Sequence, residues 1–89
     1  MKAIVTVVGK DQVGIIAAVC IKLAEYNVNV LDISQTVMQG YFTMMMVVDV
    51  SASTLPLAEL CTAMEEMGKE RALSVRVQRE DIFNAMHRV

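Results

Sequence analysis

Ile4-Val5-Thr6-Val7-Val8-Gly9-Lys10-Asp11-Gln12-Val13-Gly14-Ile15-Ile16-Ala17-Ala18-Val19 is the stretch that decides the fold. Its first five residues are β-branched, and such side chains suit the pleated surface of a strand. From Ile15 to Tyr26 the apolar residues recur at helical spacing. Between these runs lie Gly9, Gly14 and Asp11. The span therefore reads as a strand, a tight polar turn and a helix N-terminus. Such a junction presents unpaired backbone N–H groups at the positive end of a helix dipole, where an anionic group is stabilised. The N–H groups of this turn can hold a carboxylate while Asp11 holds an ammonium, the two ends of a free amino acid. The competing reading needs no ligand: Asp11 caps the helix and the glycines only permit the turn.

Working outward, residues 2–9 form the first strand. Ile4, Thr6 and Val8 point one way, Ala3, Val5 and Val7 the other, and two nearly apolar faces mark a central strand. The helix is expected over 14–26, buried through Ile15 or Ile16, Val19, Leu23 and Tyr26, with Asn27 as its stop. Residues 28–38 form a second strand with imperfect alternation, so a bulge is expected, and its polar face suits a sheet edge. Gln39-Gly40 makes a hairpin turn into a third strand at 41–50. There Phe42, Met44, Met46 and Val48 share one side, and the run Met44-Met45-Met46 fills irregular gaps or lines an adaptable contact surface. Ser53 or Thr54 is expected to cap a second helix at 55–68, with Pro56 in its first turn. Residues 73–79 alternate cleanly as a fourth strand. A short helix at 81–87 follows, whose Ile82, Phe83 and Met86 need cover.

The order β-α-β-β-α-β, with right-handed crossovers, gives an α+β fold. It is a ferredoxin-like sandwich: a four-stranded antiparallel sheet of order 4-1-3-2 with two helices on one face. Val5, Val7, Met45 and Val47 are expected on the face the helices leave open. That surface, and a hydrophobic content of 55% in 89 residues, predict a homodimer.

Composition narrows the function. A net charge of -2 lacks the basic face that nucleic acid wants. No apolar run reaches the roughly 18 residues of a membrane span, and no leader is evident, so the expected location is cytoplasmic. Cys20 and Cys61 sit in apolar helical patterns and read as buried thiols. Their spacing suggests no metal site, and nothing calls for a cofactor. The spacing Gly9-x-x-x-x-Gly14 lacks the Lys-Ser/Thr of a P-loop, His87 reads as a surface histidine, and no acid, base or nucleophile stands poised. The chain is therefore expected to be no enzyme. Three other uses of the topology fit poorly. An RNA platform would need more than Tyr41 and Phe42, a metallochaperone would need Cys-x-x-Cys in the first turn, and a phosphatase would need an Arg there.

Thr6 to Val19, followed by Leu23-Ala24-Glu25-Tyr26-Asn27-Val28-Asn29-Val30, resembles the ACT domain. That family shows a strand, G-x-D-x-x-G-[IL], a helix and L-A-x-x-x-[IV]-N-[IV]. The likeness is to its free-standing members and to the ACT units of the glycine-cleavage-system repressor and formyltetrahydrofolate deformylase. The resemblance implies a regulatory module that binds an amino acid or similar metabolite. It also implies a homodimer paired through the second strand, with ligand held between the first turn of one subunit and the start of that strand in the other. On this basis Gly9, Lys10, Asp11, Gln12, Val13, Gly14 and Ile15 come from one subunit, and Asn29, Val30 and Leu31 from its partner. Gln12-Val13 replaces the Arg-Pro of many members, and Gly9 replaces a polar side chain found in some. The alternative is a regulator that acts by associating with a partner protein, without a small ligand.

Overall fold

The computed structural model describes residues 1–86; His87 and the end of the expected tail lie outside the described residues. Seven elements follow in order: β1 Lys2–Lys10, α1 Ile15–Glu25, β2 Asn29–Met38, β3 Tyr41–Asp49, α2 Leu57–Glu70, β4 Ser74–Arg79 and α3 Glu80–Met86. The sheet is antiparallel in the order β2-β3-β1-β4, as the crossover argument requires. No described helix is long and apolar enough to cross a membrane.

The core lies between the sheet and the helices. Val5 and Val7 of β1, Met44 and Met46 of β3 and Val75 and Val77 of β4 meet Val19 and Leu23 of α1 and Leu60 and Met64 of α2. This corrects one expectation. Val5 pairs with Met46 and Val7 with Met44, and residues directly opposite in an antiparallel ladder share a face. Val5 and Val7 are thus fully covered, and Ile4, Thr6 and Val8 join Met45 and Val47 on the open face. The three methionines divide accordingly: Met44 and Met46 are core, Met45 is exposed on the open side. Phe42 is also buried in the core, which leaves Tyr41 without the aromatic neighbour that a stacking platform needs.

Local chemistry sets the ends. Asn27, at φ 59°, closes α1: its N–H bonds Ala24 O and that of Val28 bonds Leu23 O, satisfying two orphan carbonyls. Ala72, at φ 56°, closes α2 the same way through Lys69 and Gly68. Gln39 and Gly40 both take positive φ, the geometry of a two-residue hairpin whose twist matches its strands. A register shift between Val30 and Asp32 is the expected bulge, with Leu31 as the extra residue. The start of α2 differs from expectation. Pro56 immediately precedes it, and Ser53 turns its hydroxyl onto Leu55 rather than capping the helix. A serine four residues before the first helical residue is too far from its first N–H groups. The helix therefore runs two residues later than 55–68.

Candidate functional site

The β1–α1 turn is shaped by Gly14. It stands at φ 86°, in left-handed space that only glycine occupies without strain, and precedes the helix with no side-chain cap. Gly14 thus permits the turn, whereas Asp11 does not cap α1. Its backbone instead joins the hairpin: Asp11 N–H bonds Gly40 O at 2.8 Å. Gln12 ties the turn on the other side, donating from Nε2 to Arg71 O at 2.9 Å. The turn is thus held between two neighbouring turns, with the Asp11 carboxylate exposed.

Beside it opens a cleft of about 280 Å³, lined by Asp11, Gln12, Gly14 and the first turn of α1 (Ile15, Ile16, Ala17) on one wall. Gln35 and Val37 of β2 and Phe42 of β3 form the other wall. Gln35 pairs with Met44 and Val37 with Phe42, so both β2 residues lie on the helix side of the sheet, beyond the cover of α1. Sequence reasoning found the turn but missed this wall. The signal was present, since Ile33, Gln35 and Val37 alternate toward the side of Met44 and Met46. Only the register shows that this side opens into the turn.

The remaining expected site residues fall elsewhere. Gly9 backs onto the α2–β4 connection, where an added Cβ would stand 2.5 Å from Leu73 Cδ2; its role is close packing. Lys10 is exposed at the end of β1, and Val13 is 99% exposed. Asn29 pairs with Asp49, which also faces Lys2, whereas the turn leaves β1 at Lys10 opposite Tyr41. Asn29 is therefore at the far end of the sheet from the turn of its own chain. Asn27 and Asn29 line a second hollow, of about 200 Å³, with Ala24 and Val28 at the end of α1. Val30 is partly buried on the helix side and Leu31 is exposed at the bulge.

The described thiols are free, and neither borders the cleft. Burial, and then the nearby Glu65 carboxylate, push the Cys61 thiol up, away from the reactive thiolate. Its Sγ–H donates to Val77 O at 3.1 Å. Among the described residues no three His, Cys, Asp or Glu side chains cluster as metal ligands.

The fold is a ferredoxin-like sandwich whose first, glycine-shaped turn opens a cleft beside the edge strand β2. The chain belongs to the ACT domain family, whose pattern matches residues 2–78. It is similar to a UPF0237 protein of Listeria innocua, 52% identical over 89 residues and spanning all of both chains. It is also similar to the solved ACT domain protein of Streptococcus pneumoniae, 46% identical, with a TM-score of 0.83 over 98% of each chain. A putative glycine cleavage system transcriptional repressor shares the fold at 22% identity and TM-score 0.73, over 86% of this chain and 44% of that one.

Proposed function

We propose that the protein is a non-catalytic cytoplasmic regulator that binds an amino acid or similar small metabolite at a homodimer interface. The observation that carries this reading is the pair of hollows along the β2 edge. One lies at the turn, with Asp11, Gln35 and Val37; the other lies at the opposite end of β2, with Asn29. The flank between them is apolar: Ile16, Cys20 and Ala24 follow one another at helical spacing beside Ile33 and Val37. Pairing two β2 strands antiparallel about their midpoint brings the turn hollow of each copy against the Asn29 hollow of its partner. The site is then closed by Asn29, Val30 and Leu31 of the partner. In this arrangement Asp11 takes the ligand ammonium, the free N–H groups at the start of α1 take its carboxylate, and Val37 and Phe42 receive its apolar part.

Thermal unfolding against the standard amino acids tests this. At a hundred times its Kd a ligand adds about 2.7 kcal/mol to the native state. Loss of that shift in both Asp11→Ala and Asn29→Ala places the site across two subunits. A flat screen on a folded dimer favours the second reading, in which the protein acts by associating with a regulated partner protein.

A further inference from the structure

The two walls of the cleft beside the β1–α1 turn carry different polar groups. Asp11 stands on the turn, and Gln35 stands on β2, where Val37 shares its face and Phe42 lies opposite Val37 in the ladder. Both polar side chains are exposed, and among the described residues neither the Asp11 carboxylate nor the Gln35 amide has a hydrogen-bond partner. Phe42, only 4% exposed, is the floor between them.

Register sets the order of these groups along the sheet. The Asp11 N–H bonds Gly40 O at the hairpin, and the ladder then runs from Val37 opposite Phe42 to Gln35 opposite Met44. Gln35 is therefore two residues further from the hairpin than Val37, roughly 7 Å along the strand. A ligand anchored by its ammonium at Asp11 lays its side chain over Val37 and Phe42 and brings the tip to Gln35.

Charge decides what that tip can be. No lysine or arginine borders the cleft, and the partner's Asn29, Val30 and Leu31, which would close it, are neutral. A carboxylate or phosphate at the tip would be buried without a cation, and a second ammonium without a second carboxylate, and both are costly. A wholly apolar tip would cover the Gln35 amide and leave its donor and acceptor unpaired, which is also unfavourable.

We propose, on the reading of this cleft as an amino-acid site, that Gln35 determines its specificity, and that the ligand is an α-amino acid whose side chain is neutral and ends in a hydroxyl or a carboxamide. The Gln35 amide both donates and accepts, so it pairs with either group. A site built to bond a polar group rejects an analogue lacking it more strongly than an apolar pocket rejects a change of one methylene.

Calorimetric titration of the full chain tests this with threonine against valine, glutamine against methionine, and glutamate and lysine. The wild type should bind threonine or glutamine about tenfold or more tighter than its apolar counterpart, and neither charged amino acid. Gln35→Met keeps the length of the side chain and removes the amide, so that preference should fall below about threefold. Gln35→Glu should admit lysine, a gain that a merely structural role of this exposed residue would not give. Circular dichroism and light scattering check that both variants keep the fold and the assembly of the wild type. A ligand lost in Asp11→Ala but acidic, basic or apolar, or a preference unchanged in Gln35→Met, overturns the assignment to Gln35 and leaves the amino-acid site standing. A folded dimer that binds no amino acid overturns both.

Discussion

At the scale of single residues, two positions at the end of α2 make opposite demands. An added Cβ on Gly68 would stand 2.7 Å from Val75 Cγ2 and 2.8 Å from Leu73 O, and the carbonyl cannot swing aside as a side chain could. Gly68→Ala should therefore destabilise the domain by about 1–3 kcal/mol despite the better helix propensity of alanine, a loss that urea titration reads as a lower midpoint. Four residues on, Ala72 occupies left-handed space that costs an L-residue roughly 1–2 kcal/mol. Ala72→Gly should recover part of that, giving about 1 kcal/mol after the greater unfolded-state entropy of glycine is set against it. For a domain this size the gain appears as a rise in Tm of about 4–8 °C by calorimetry. A spacing pattern finds Gly68 near a helix end, but neither the close approach of Leu73 nor the closing role of Ala72 leaves a mark in it. Both depend on where β4 returns.

At the scale of elements, the order of strands and helices was legible because each carries a strong period and each junction its own turn chemistry. Gly40 and Asn27 are positions where the residue type and the observed positive φ agree. The faces of β1 were not legible, since Ile4, Thr6 and Val8 are nearly as apolar as Ala3, Val5 and Val7. Only pairing with β3, whose Met44 and Met46 are core, chooses between them. The same limit hid the β2 wall of the cleft. The end of β3 carries a prediction of another kind. Side-chain and backbone donors of Ser51, and more weakly the N-terminal ammonium, hold the exposed Asp49 carboxyl below its usual range. Arg79 does the same for Asp81. A carboxyl with a lowered native pKa stabilises the fold above its unfolded value, about 3.9, and that contribution disappears as pH falls through the native value. The stability of the wild type should thus decline below about pH 4, and more shallowly in Asp49→Asn and Asp81→Asn, as unfolding midpoints measured from pH 6 to 2 would record.

At the scale of the whole molecule, α1 is difficult to explain in an isolated chain. Of its eleven residues only Lys22 and Glu25 are charged, and Ile21 is 61% exposed on its outer side. Ile33, 40% exposed, lies on the helix side of the adjacent edge strand. Neither side chain contributes to the core, so replacing either with a charge leaves the folded subunit intact. In a dimer paired through β2, Ile33 approaches the two-fold axis, where a charge would be desolvated and would face its own copy. Ile33→Glu should therefore give a folded monomer by light scattering. Because the proposed ligand site needs Asp11 from one copy and Asn29 from the other, the same variant should lose ligand-induced thermal stabilisation although every residue around its own turn is unchanged. If the monomer still responds to the ligand with wild-type affinity, the turn and the β2 wall of one chain form the complete site and Asn29 has no part in it.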